Sequence, residues 1–241
     1  MAIARFAVPA LVAGLVVLGS AQTVRADGMT PESSIVILPT NQASTSILVK
    51  NTGQTTDMLV VDIEPIDEDT VEVASIDPPS GTTTVKPGKQ QKVTFTLLDE
   101  IRKTEVQRLR RVVFEGAKGT AKGAKKRNQV GVTVRQNLPL IIHPAQLELV
   151  RDPWKFLKWT VADGNLTVSN DSPYVVRLSQ EFESLPSNAE LGLPRSYVLP
   201  NARLTIKLPS EAANDDRVRI HPATVYGFQI DHFDAPVVHA K

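Results

Sequence analysis

Cysteine is missing from all 241 residues. That removes disulfide staples, thiolate nucleophiles and cysteine-ligated metals together, and leaves apolar cores to hold the chain. A surplus of one charge is missing too. With 27 Lys and Arg against 26 Asp and Glu the net charge is +1, so no global field draws the chain to nucleic acid. Aromatic residues make up only 5%, too few for a sugar-stacking platform in addition to a core. The four histidines, His143, His221, His232 and His239, form no HExxH pair. No nucleophile elbow, phosphate-cradling loop or dinucleotide fingerprint occurs. An enzyme is therefore disfavoured, and no metal or cofactor is expected. The acidic run Asp62 to Asp69 (DIEPIDED) has no Gly for the turn of a calcium loop, and reads as a hairpin connection with solvated carboxylates.

What the chain does have begins at its N-terminus. Arg5 precedes Phe6 to Leu18 (FAVPALVAGLVVL), an apolar run of signal-peptide length that is short for a bilayer core of about 30 Å. Small residues then offer cleavage after Ala21 or after Ala26, and the second leaves a mature chain that starts just ahead of the first strand. No later segment is apolar and long enough to insert in a membrane, so the expected product is exported. After the signal, short alternating runs recur between Pro, Gly and Asn turns. Ser34 to Leu38, Thr45 to Lys50, Met58 to Glu64, Val71 to Ala74, Gln91 to Leu98 and Arg110 to Phe114 read as strands. Past Pro144 the same style continues in Gln146 to Val150, Trp154 to Val161, Asn165 to Val168, Tyr174 to Leu178, Arg203 to Leu208 and Thr224 to Ile230. No long stretch has a helical period, although Asp99 to Arg111 has room for a short turn. The spacing predicts an all-β protein of two sandwiches joined near Pro144, with a signal over 1–26 and domains over 27–144 and 145–241.

The longest strand signal is Gln129 to Pro144 (QVGVTVRQNLPLIIHP). Val130, Val132 and Val134 share one face of an extended chain, and Gln136, Leu138, Leu140 and Ile142 keep that parity. Before it lies Gly116 to Asn128 (GAKGTAKGAKKRN), basic and without a large apolar residue. An unpaired edge on such a strand would accept a strand from another chain, and lysines beside it would guard it against aggregation.

Taken together, these marks resemble the PapD-like periplasmic chaperones of the chaperone–usher pathway. The resemblance rests on Pro78-Pro79, on Pro87-Gly88-Lys89-Gln90-Gln91-Lys92-Val93, and on the alternating strand that closes at Pro144. It rests also on Leu166 to Tyr174 (LTVSNDSPY), Leu199-Pro200 and Tyr226-Gly227. It implies two immunoglobulin-like sandwiches in a boomerang-like tandem, in the periplasm. The partners implied are pilin-like subunits and an outer-membrane usher, with no nucleic acid and no membrane insertion of the mature chain. Self-association through the same strand stays open, as does the alternative of a secreted structural or adhesin sandwich of a pilus system.

By resemblance the donor strand presents Val130, Val132, Val134 and Gln136 to the subunit. The family's two cationic anchors for a subunit carboxylate fall on Ser34 and Pro139, neither of them charged. Its interdomain ionic cluster falls on His143, Leu109 and Val225, so that all three charges are lost together. Arg135, Arg110 and Arg111 are the candidates to replace the missing anchor.

Overall fold

The computed structural model describes residues 28–118, 134–224 and 226–240. The signal stretch, most of the basic segment, Val225 and the donor positions Val130 and Val132 lie outside the described residues.

The first sandwich contains β1 (Met29–Pro31), β2 (Val36–Pro39), β3 (Ser44–Asn51), β4 (Asp57–Glu64) and β5 (Ala74–Asp77). It continues with β6 (Thr82–Val85), β7 (Gln90–Leu97), β8 (Arg108–Lys118) and β9 (Arg135–His143). One sheet runs β1-β3-β7-β5 and the other β2-β9-β8-β4-β6. Alternation decides which face turns inward: Val93, Phe95 and Leu97 of β7 share a core with Val112 and Phe114 of β8 and with Leu140 and Ile142 of β9. Each such side chain removed from water contributes about 1.5–3 kcal/mol. Gly81 carries the chain from β5 to β6 at φ +62, where a Cβ would run into the Val61 carbonyl oxygen. The room for a helix between β7 and β8 is taken by a single 3₁₀ turn, Ile101–Lys103, pinned by buried Ile101.

The second sandwich contains β10 (Leu157–Ala162), β11 (Asn165–Asn170), β12 (Val176–Leu178), β13 (Glu181–Leu185) and β14 (Ala189–Gly192). It closes with β15 (Tyr197–Val198), β16 (Arg203–Lys207), β17 (Arg217–Ile220), β18 (Pro222–Ala223) and β19 (Phe233–His239). Its sheets run β14-β13-β17-β19-β10-β11-β16 and β15-β12-β18 around a second core that includes Trp159, Val168, Phe182 and Ile220.

Three expected strands are absent or displaced. Val71 to Val73 is not strand, and β5 begins only at Ala74, the last residue of the expected run. Gln146 to Val150 is turn and coil, because the Leu147 N–H donates back to the Pro144 carbonyl at 3.1 Å and Leu149 finds no core to enter. The expected strand Thr224 to Ile230 is broken by a turn at Tyr226-Gly227, where Gly227 takes a φ of +84 that no extended strand allows. Conversely, β19 carries a proline that argues against a strand. Pro236 sits where β19 stops pairing with β17 and starts pairing with β10, so its missing N–H interrupts neither ladder.

The two sandwiches meet over a third apolar cluster of Ile35, Ile66, Leu109, Ile141 and Val175. Gln107 bridges them. Its N–H donates to the Pro173 carbonyl at 2.9 Å, and its side-chain oxygen accepts from the Val175 N–H at 2.8 Å. Its amide nitrogen stands 2.9 Å from His143 Nδ1, while His143 Nε2 faces the Leu147 carbonyl at 3.0 Å. A carbonyl can only accept, so Nε2 carries the proton and Nδ1 accepts from Gln107. Thus two of the positions expected to have lost an ionic cluster, His143 and Leu109, lie in a neutral, well-bonded joint. An ion pair crosses the joint elsewhere: Glu68 of the first sandwich pairs with Arg195 of the second and accepts from the Tyr197 hydroxyl at 2.9 Å.

Candidate functional site

The two edges of β9 are treated differently along its length. Strand β8 pairs with it from Arg135 to Ile142. Strand β2 pairs with its other edge only from Leu140 to His143. The chain ahead of β2 has crossed to the opposite sheet, where β1 pairs with β3. From Arg135 to Pro139, therefore, the edge of β9 away from β8 has no strand partner among the described residues. One side chain touches β1 from this stretch, where the Gln136 amide donates to the Met29 carbonyl at 3.2 Å. Val134 lies half-buried against Gly28. Parity places Val134 and Gln136 in line with Leu138, Leu140 and Ile142, which face the core. Arg135, Asn137 and Pro139 take the other face.

The three candidate arginines have separate surroundings. Arg110 turns inward and is 1% exposed, donating to the Asp69 carboxylate at 2.6 Å and to the Val71 carbonyl at 2.7 Å. Arg108 grips the same carboxylate at 2.7 and 2.6 Å. Burial alone would raise the Asp69 carboxyl, but the hydrogen bonds and charges of Arg108 and Arg110 outweigh it and hold the group well below the usual carboxylate range. The end of the acidic run is accordingly a structural ion cluster and not a solvated hairpin. Arg135 pairs with Glu64 on the outer face of the sheet. Arg111 faces the cleft between the sandwiches and among the described residues is bonded only to Asn137, with Nε 2.6 Å from its side-chain oxygen and Nη2 3.0 Å from its carbonyl.

Arg111 stands directly across the ladder from Pro139. It shares a cavity of about 310 Å³ with Arg177, Tyr197, His221 and Gln229. Arg177 projects from β12 of the second sandwich and donates to the Thr224 carbonyl at 3.0 Å. Burial lowers the pKa of Arg111, against a partial upward pull from Tyr197 and Glu64. For Arg177, burial and then the neighbouring charge of Arg111 both push it down. Two half-buried cations thus face one cavity. Sequence reading passed over Arg177, although the signal was visible as a lone charge inside the apolar run Tyr-Val-Val-Arg-Leu. Ser34 lies on the rim, close enough to Gly227 that a Cβ on the glycine would run into its hydroxyl. Among the described residues no group of His, Asp and Glu is placed to hold a metal ion.

Paired sandwiches with a half-open closing strand above a cationic cleft define a tandem immunoglobulin-like protein equipped to take a strand from a partner. The chain belongs to the PapD-like family of pilus chaperones. Residues 28–148 match the family described as pili and flagellar-assembly chaperone, PapD N-terminal domain, and residues 152–233 match the pili assembly chaperone PapD, C-terminal domain. The chain is 34% identical over 204 residues to the fimbrial chaperone YhcA of Escherichia coli (strain K12), covering 85% of this chain and 88% of that protein. Its fold is similar to the SafB chaperone solved in complex with the Salmonella enterica SafA pilin. That likeness has a TM-score of 0.67 at 14% identity, over 89% of this chain and 98% of that one. It is similar also to the E. coli chaperone DraB, with a TM-score of 0.66 at 14% identity over 87% and 98% of the two chains. Membership in this family makes the protein a periplasmic chaperone of pilus assembly.

Proposed function

We propose that the chain binds pilin-like subunits by lending them β9 together with the residues before it, and then passes them to an outer-membrane usher. The observation that carries this reading is the half-open edge of β9. Val130, Val132 and Val134 insert into the subunit, with Gln136 at the end of the row, and each buried valine contributes about 1.5–3 kcal/mol. The exported form follows removal of residues 1–26, and the donor domain closes at Pro144. No cofactor or nucleotide takes part, because completion of the subunit's own fold supplies the driving force.

Geometry also orients the guest. A strand added along Arg135 to Pro139 must stop before Leu140, where β2 already occupies the edge. Its end then lies beside Pro139 and across from Arg111. A strand antiparallel to β9 would bring a cationic N-terminus there, whereas a parallel strand brings its carboxylate. Arg111 is therefore the anchor among the three candidates, because Arg110 is buried on Asp69 and Arg135 is paired with Glu64.

Co-purification from the periplasm with pilin-like subunits tests the reading, comparing wild type with a Val130→Asp, Val132→Asp, Val134→Asp variant. The expected outcome is loss of the subunit with an unchanged circular dichroism spectrum. A folded variant that keeps its subunit contradicts strand donation by these residues.

A further inference from the structure

His143 closes β9 at the joint between the sandwiches, and the bonds of its ring leave no place for a second proton. His143 and Gln107 are each 6% exposed and Val175 is 5% exposed, so a mismatched bond among them has little water to turn to. Nε2 donates to the Leu147 carbonyl, and Nδ1 accepts from the Gln107 amide nitrogen at 2.9 Å. That fixes the other end of the same amide, whose oxygen accepts from the Val175 N–H of the second sandwich at 2.8 Å. A proton added to Nδ1 would face the Gln107 NH₂ group, donor against donor. Turning the amide over only moves the conflict, because the NH₂ group would then face the Val175 N–H. Neither orientation satisfies an imidazolium and the second sandwich together.

The charged groups packed around these bonds are engaged elsewhere. On β8, Arg108 and Arg110 are bonded to Asp69, and Glu68 is paired with Arg195. Arg102 of the 3₁₀ turn donates to the Thr40 and Gln42 carbonyls and pairs with Asp99, while Lys103 and Glu105 after it are exposed. From the second sandwich, Arg177 donates to the Thr224 carbonyl, and the Tyr174 hydroxyl donates to the Glu148 carbonyl. The side chains of Glu148 and Arg151, on the link after Pro144, are exposed. Among the described residues none of these groups is bonded to the ring, so no carboxylate is in place to receive an imidazolium.

We propose that His143 makes the joint between the two sandwiches sensitive to pH: protonation of its ring breaks the bond from Val175 to Gln107 and frees the second sandwich to swing. Imidazole is the side chain whose ordinary charge change falls between pH 5 and 8. The closed joint holds one proton fewer than the open one, so a falling pH moves the balance toward the open form. The Asp69 carboxyl, held well below the usual carboxylate range, stays ionised through that window and does not compete as the sensor. The cleft lined by Arg111 and Arg177 belongs half to each sandwich, so it changes shape when the joint lets go. None of this depends on how a client is held.

Amide hydrogen exchange of the purified chaperone at about pH 7.5 and pH 5, each corrected for the intrinsic rate at that pH, reads the joint directly. The Gln107 N–H donates to the Pro173 carbonyl and the Val175 N–H to the Gln107 side chain, so both amides cross the joint. Their protection should fall about tenfold at the lower pH, the scale of one buried donor left without an acceptor. Ladder amides of β7 and β11, one strand in each sandwich, should keep theirs. His143→Gln does not titrate, and its protection should be the same at both pH values. Gln107→Glu should reverse the trend and be better protected at the lower pH, because a carboxylate accepts from the Val175 N–H and from a protonated Nδ1 at once. Equal wild-type protection at the two pH values overturns the proposal. So does a fall that persists in His143→Gln, which places the sensor elsewhere, or a fall shared by β7 and β11, which is unfolding of the whole chain. If His143→Gln does not fold, Gln107→Glu decides: the same fall as in wild type overturns the proposal, and a reversal supports it.

Discussion

From Leu140 to Ile142, β9 lies between β2 and β8, and all three side chains are buried, as is that of His143, which pairs with β2 alone. From Arg135 to Pro139 the same strand has β8 alone, and its side chains alternate between exposed and half-buried until Pro139. The change falls at one register position, where β2 begins. The first half is part of a core and the second is an unfinished sheet, so one strand serves both as a structural member and as an offer to a partner. The same division is repeated across the sheet in two consecutive residues of β8. Arg110 points inward to a fixed carboxylate, and Arg111 points outward to a cavity that holds none. A one-residue change of parity separates a cation that holds the fold from a cation available to a ligand.

The sharpest way to test this contrast is a truncation in each half. Ile142→Ala removes a fully buried side chain and should cost about 3–4 kcal/mol by urea unfolding, whereas Leu138→Ala should cost less than half of that. Equal costs would erase the difference between the halves. Asp69→Ala should come next, at about 3 kcal/mol, because it leaves the Arg108 and Arg110 guanidiniums without their shared partner. By contrast, Arg111→Gln should change the unfolding free energy from urea titration by less than about 0.5 kcal/mol while weakening capture of subunits.

Acid should expose the Asp69 cluster specifically. Its carboxyl is held below the unfolded value of about 3.9, so the unfolded chain takes up more protons as the pH drops. The stability it provides is complete above that value and declines as the pH falls below about 4. Asp69→Ala should flatten this part of the stability–pH curve, read by urea titration at a series of pH values. The smallest effect is expected for Arg135→Ala, whose ion pair with Glu64 is exposed, at no more than about 0.5 kcal/mol. A larger loss would mean that the free half of β9 is held more firmly than its edge implies.

Much of this was legible in the chain before the fold was known. Parity alone placed Leu138, Leu140 and Ile142 on the core face, and the His143-Pro144 stop coincides with the end of β9. Local turn chemistry marked most of the first sandwich. Long-range pairing was not legible, because it depends on which strand neighbours which. Nothing local announces that β2 covers only four residues of β9, or that Pro236 is the last pair of one ladder, just before the next begins. The site arginines show the same limit. Arg110 and Arg111 look alike in sequence, and only the register of β8 against β9 and the approach of β12 separate their roles. Arg177 belongs to the site because two domains meet there. The other cation on the cavity, Arg111, lies 66 positions earlier in the chain.

Amide hydrogen exchange across β9, in the free chaperone and in its purified complex with a subunit, tests the central claim most directly. The account predicts that alternate amides between Val130 and Leu138 gain protection when the subunit is bound, while Leu140 to Ile142, already paired on both edges, stay as they were. Unchanged exchange from Val130 to Leu138 in a complex that contains the subunit would contradict strand donation by β9.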